Sequence, residues 1–163
     1  MNKPIPLSLR KKSSARVAAV QCLYKMKVTG EQLAPEKLME HYLDHWQEDH
    51  AGEERAFSKE AEPDKSLLRK LLATSSEHAG DIETTIRASL TEKWTMERMS
   101  PLLLAIITCA LVELHFLRSL SAPIIIDEYV TITGRFFEAS EVGFVNGLLD
   151  KLSATPPSSA TAS

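Results

Sequence analysis

The sequence predicts an all-α fold of two small helical bundles packed together, with about six to seven helices. Three observations carry that prediction. Apolar residues recur at three- and four-residue intervals, and no stretch alternates as a half-buried strand must. Start and stop signals such as Gly30, Ser100-Pro101 and Pro123 stand at helix-length separations. The 163 residues are 44% hydrophobic but only 6% aromatic, so the apolar content is mostly Leu, Ala, Ile and Val in helix-length runs.

Residues 1–12 hold Pro4 and Pro6 without apolar periodicity and read as a mobile basic arm. Ser13 and Ser14 are N-cap candidates, because a hydroxyl can accept from an orphan amide of the first turn. Ala15, Ala19, Cys22, Leu23 and Met26 then share one helical face until Gly30 stops the helix. A second helix is expected from Pro35 to about Trp46, turning Leu38, Tyr42, Leu43 and Trp46 inward. Residues 47–63 are acidic and polar and end in Pro63, which marks a solvated linker. On this reading an N-terminal bundle spans 13–50 and a C-terminal bundle 64–153, both inside one helical domain over 13–153.

Asp64 can cap a helix bearing Leu67, Leu68, Leu71 and Leu72. The pattern permits that helix to continue to Leu90, with a weak point at Gly80. Trp94 and Met96 are expected to plug the junction beyond it. Ser100 and Pro101 form a strong start, since proline at the first helical position loses no hydrogen bond. The helix from Leu102 to about Leu117 is apolar nearly all round and should lie buried at the centre of the second half. Glu113 interrupts it, so a basic side chain or backbone amides are expected to meet that carboxyl. Pro123 opens a helix to Phe136 and Phe137. Ser140 is expected to cap the last one, which faces inward through Phe144, Val145, Leu148, Leu149 and Leu152. Residues 154–163 are a low-complexity tail, expected to be disordered.

Composition excludes several classes of function. Cys22 and Cys109 lie in apolar stretches without metal or disulfide spacing, as buried thiols do. The run Leu102–Val112 is about half of the roughly 20 residues that a bilayer span needs, and no secretory signal is legible, so the reading is of a soluble cytoplasmic protein. His41, His45 and His50 sit among acids without a third ligand at convincing spacing, and solvated histidines are expected there, not zinc. Phosphate-cradling glycine loops, nucleophile elbows and paired catalytic groups are all missing. Asp127 and Glu128 are neighbours whose side chains diverge on a helix. Neither catalysis nor a cofactor is expected.

Charge is the informative property. Residues 1–30 carry seven Lys or Arg and no acid, whereas residues 31–64 carry eleven acids against three bases. A near-neutral chain with a basic end points to a local polyanion site. Arg10, Lys11 and Lys12 precede the first helix, and Arg16, Val20, Tyr24 and Lys27 occupy neighbouring directions on its wheel. Cations beside an aromatic ring suit single-stranded RNA. The same spacing also suits a solvated basic terminus with Tyr24 in the core.

The run ARVAAVQCLYKMKVTG (15–30) resembles the opening helix of NusB proteins, and PIIIDEYVTITGRFFEASEVGFVNGLLDKL (123–152) resembles the last two helices of that family. Between them KWTMERMSPLLLAIITCALVEL (93–114) is similar to the segment leading into the family's central helix. The likeness is collinear over residues 10–152. It implies a stoichiometric adaptor in transcription antitermination. Its implied partners are the ribosomal protein NusE, boxA-type single-stranded RNA in ribosomal RNA leaders, and the elongating RNA polymerase. The family's basic RNA-contact stretch falls on Arg10, Lys11, Lys12 and Arg16, with Tyr24 and the region of Phe144 flanking the RNA path. Ser13, Ser14 and Gly143 stand where basic residues are common and Asp127 where Asn is frequent. These departures predict weaker phosphate contacts and greater reliance on NusE. Two alternatives remain: an accessory module for RNA methylation, since a similar helical domain fronts some ribosomal RNA methyltransferases, and a protein-interaction module with an incidental basic end.

Overall fold

The computed structural model describes residues 3–49 and 60–155. Among them are seven α-helices, one π-helical turn and no strand. The chain divides by its internal contacts into two compact units, Met1–Ala73 and Thr74–Ser163.

The first unit opens with α1, Leu7–Thr29. This helix begins six residues ahead of the expected serine caps. Pro6 takes an extended conformation at its start, and the Pro6 carbonyl accepts from both Leu9 and Arg10 N–H at 3.1 Å. A fixed proline φ before the first turn and an otherwise helix-favouring sequence are enough to nucleate there. Residues 7–12 are therefore helix and not an arm, and Ser13 and Ser14 lie inside it. Small residues dominate its inner face, with Ala15, Ala18 and Ala19 wholly buried beside Val20, Cys22 and Leu23. Gly30 ends the helix at φ 76°, with its N–H on the Met26 carbonyl, as the left-handed C-cap requires.

Helix α2, Pro35–Asp49, packs on α1 and buries Leu38, Met39 and Trp46. Part of the acidic segment, residues 50–59, lies outside the described residues. Where the chain resumes, Asp64 N–H donates to the Lys11 carbonyl at 2.9 Å and the Asp64 carboxylate accepts from Leu67 N–H, capping α3 (Lys65–Glu77). Arg69 pairs with Glu36 of α2 at 3.0 Å. The Lys11 and Glu36 bonds tie the start of α3 to α1 and α2.

In the second unit the break that follows α3 is at His78, not Gly80, and α4 runs Ala79–Ser89. Gly80 sits within the regular helix, with open space where a Cβ would be. An irregular junction leads to α5, Pro101–Leu111, whose Ser100 cap accepts from Leu102 and Leu103 N–H. Helix α5 is buried on most sides and packs against both α6 (Ala122–Phe136) and α7 (Ala139–Ala154). The short α6–α7 connection makes these two an αα-hairpin. Glu138, not Ser140, precedes α7, and the Ser140 hydroxyl donates to Glu141 instead.

A π-helical turn, Val112–Leu117, extends α5. It carries two buried polar side chains that lie two residues apart and so point to different neighbours. Glu113, 1% exposed, accepts the Tyr129 hydroxyl of α6 at 2.5 Å. His115 Nε2 donates to the Leu152 carbonyl of α7 at 2.7 Å. Each buried polar side-chain atom among the described residues has a partner.

Candidate nucleic-acid interface

Because α1 starts at Leu7, the cluster Arg10, Lys11 and Lys12 is held at helical spacing rather than on a tether. Arg10 and Lys12 are exposed and Lys11 is half-buried, its carbonyl tied to Asp64. Successive helical residues diverge by about 100°, so the three cations fan around the helix and cannot all meet one phosphate row.

The expected direction Arg16–Val20–Tyr24–Lys27 does not form one surface stripe. Val20 is wholly buried and Arg16 is only 3% exposed. Arg16 also makes an interaction within the protein. Tyr24 is 39% exposed and Lys27 is exposed, which places the ring on the surface and not in the core. The outward line instead joins Arg10, Ser14, Val17, Gln21, Tyr24 and Val28, residues three or four apart with exposed ends and a half-buried centre at Ser14 and Val17. Lys25 lies beside Tyr24 on the same exposed side. Both Lys25 and Gln21 escaped the sequence reading. Their signal was one of spacing: they fall next to Tyr24 once the buried face is known to run through Ala18 and Cys22.

The helix itself adds no carboxylate to this surface, since α1 contains no acid. Beside it, a cleft of about 230 Å³ between α1 and α2 is lined by Gln21, Cys22, Lys25, Leu38, His41 and other residues. Burial pushes the Cys22 thiol up to about 12, with nearby Lys25 opposing the shift. It is therefore neutral and a poor nucleophile. His45 donates from Nδ1 to the His41 carbonyl at 2.8 Å along its own helix. No group of three or more metal-ligating side chains occurs among the described residues, and His50 lies outside them.

Phe144 belongs to the second unit. It is half-buried on α7 and stacks on Trp94 from the α4–α5 junction, with ring centroids 4.1 Å apart and planes 12° from parallel. The junction is held by Arg87, which donates to Glu97 at 2.6 Å and to Glu83. The hydrogen bond from Arg87 holds the Glu97 carboxyl below its ordinary range.

A family model described as the NusB family matches residues 13–154. The chain belongs to the NusB family. A relative in Mesorhizobium japonicum named transcription antitermination protein NusB is 31% identical over 143 residues, 88% of each chain. Another of the same name in Maricaulis maris is 30% identical over 142 residues, covering 87% of this chain and 85% of its own. Among solved structures, NusB of T. maritima superposes with a TM-score of 0.71 at 22% identity, over 99% of both chains. A structure of antitermination factors NusB and NusE with double-stranded RNA gives 0.69 at 21% identity, over 89% of this chain and 97% of that one. These two likenesses establish the fold as that of NusB. No helix among the described residues is long and apolar enough to cross a membrane.

Proposed function

We propose that this chain is a cytoplasmic transcription antitermination factor that, with NusE, binds boxA-type single-stranded RNA in ribosomal RNA leaders and supports processive transcription. The observation that carries the reading is the outer surface of α1, which is free of acids, cationic from Arg10 to Lys27 and bears an exposed Tyr24. Arg10, Lys11, Lys12 and Lys27, joined by Lys25, supply phosphate contacts, while Tyr24 and Phe144 offer ring faces to bases. Arg16, buried and engaged within the protein, is left out of this set.

The role is binding, without catalysis. The buried acid Glu113 is engaged with Tyr129 and closed to substrate, and the cleft beside α1 holds a neutral thiol instead of an activated one. The relatives named for antitermination and the solved complex of NusB and NusE with RNA support the same reading. An accessory role in methylation or a purely protein-binding role has no specific observation in its favour.

Fluorescence anisotropy tests this. Full-length protein with NusE should bind a boxA-type RNA more tightly than a scrambled RNA of equal length, and a single strand more tightly than its duplex. Equal affinity for boxA-type and scrambled RNA would overturn the reading. Tighter binding to duplex would reassign the ligand from unpaired bases to helical RNA.

A further inference from the structure

The stack of Trp94 on Phe144 is an unusual surface feature. Both rings are half-buried, so the pair sits at the boundary of the second unit and not in its core. Trp94 is not on a loose loop. Its N–H bonds the Thr91 carbonyl at 3.1 Å, Arg98 N–H bonds the Thr95 carbonyl, and Arg87 grips Glu97 from α4. Trp94 is thus a fixed plate against which the Phe144 ring lies nearly parallel.

Two backbone positions beside Phe144 carry no side chain, although Ser140 and Glu141 stand one turn before it. Gly143 precedes it and Gly147 follows one turn later; both are exposed, and a Cβ at either would meet nothing within 4 Å. A flat ligand that approaches over Gly143 or Gly147 meets backbone and no side chain of those two residues. The charged residues that neighbour the pair along the chain are mixed in sign, Lys93 and Arg98 with Glu92, with Glu97 paired to Arg87, and with Glu141 one turn before Phe144. Such a place favours a neutral planar group over a phosphate. The ring's rotamer is already chosen by Trp94, so a ligand loses less side-chain entropy on ordering it.

We propose that Trp94 is a positioning residue that holds the Phe144 ring as a fixed platform on which an unpaired RNA base stacks. This rests on the RNA-binding reading above and adds to it a residue that acts through another. The contact is non-ionic, so it contributes affinity without contributing to the salt dependence that phosphate contacts create.

The chain has two tryptophans, Trp46 and Trp94, so ¹⁹F NMR of 5-fluorotryptophan protein gives two resonances, assigned through Trp46→Phe. BoxA-type RNA added to the full chain with unlabelled NusE should shift the Trp94 resonance and leave that of buried Trp46 in place. In anisotropy titrations Trp94→Leu should weaken RNA binding about five- to thirtyfold, and Trp94→Phe should restore most of it. Neither should change the slope of log affinity against log salt. Phe144→Leu should weaken binding similarly, and the double variant Trp94→Leu/Phe144→Leu should be no weaker than Phe144→Leu alone, because the tryptophan works only through the phenylalanine. A silent Trp94 resonance in a chain that binds boxA-type RNA overturns the proposal and leaves the RNA reading standing. So does additivity in the double variant, or a Trp94 shift produced by NusE without RNA, which would assign the pair to a protein interface. Failure of the unmodified protein to prefer boxA-type over scrambled RNA instead sinks the RNA reading itself.

Discussion

Glu113 and Tyr129 show how a single buried carboxyl shapes the second unit. A carboxyl at 1% exposure must find a donor, and the phenol of α6 provides one at 2.5 Å. Tyr129→Phe should therefore cost about 1–3 kcal/mol, whereas Glu113→Gln should cost less because an amide oxygen still accepts. Urea denaturation checks both; a Tyr129→Phe midpoint equal to that of the unmodified protein would dismiss the pairing as a stabilising contact. The need for a partner was legible in the sequence, but the Tyr129 phenol was not named by it. A phenol sixteen residues away in the chain meets the acid only because α6 packs on the helix that carries it. Cys22 gives a second test. An unfolded thiol ionises near 9.0, while burial defers ionisation of the folded one to about 12. Between those values the folded chain holds the extra proton, so its stability is fully present below 9.0 and falls as pH rises, by about 1.4 kcal/mol per unit from this group. Subtracting the pH profile of Cys22→Val isolates that loss from other titrations, and parallel profiles would refute the shift.

At the scale of elements, helix ends set by a cap were readable and those set by tertiary contact were not. Ser100-Pro101, Asp64 and Gly30 all act where sequence chemistry put them, because each satisfies an orphan backbone group locally. Ser100→Ala should cost about 1 kcal/mol. Gly30→Ala should cost a similar amount, since its φ of 76° strains any residue with a Cβ. Thermal melts should record both as lower midpoints, and an unshifted Gly30→Ala would mean that the C-cap relaxes to another conformation. The start of α1 differs from the expected one because serine is a good cap in isolation. In the folded chain Pro6 begins the helix, and Lys11 within it receives a hydrogen bond from Asp64, far along the sequence. The consequence is functional, since the three leading cations ride on a rigid helix.

At the scale of the whole molecule, the separation of charge along the chain was plain in the sequence, but its distribution between surface and interior was not. Arg16 looked like the fourth cation of an RNA-facing cluster, yet the helix rotates it inward beside Ala15 and Ala19, where it is engaged within the protein. Periodicity could not reveal this, because an arginine in a mostly small-residue face reads equally well as the edge of a polar stripe. The two kinds of cation make separable predictions. Replacing Arg10, Lys11 and Lys12 by Gln removes phosphate partners from exposed or half-exposed positions. It should weaken RNA binding and flatten the salt slope by up to about 0.7 for each single-strand phosphate left without its cation, with little change in stability. Arg16→Gln should do the reverse, lowering stability by about 1–3 kcal/mol for a disrupted buried interaction while the salt slope of the folded protein stays as it was. Anisotropy over a salt series, paired with urea denaturation of the same samples, distinguishes the two. A flattened slope in Arg16→Gln at unchanged stability would return that residue to the RNA surface, and an unchanged slope in the triple variant would move the phosphate contacts off the opening turns of α1.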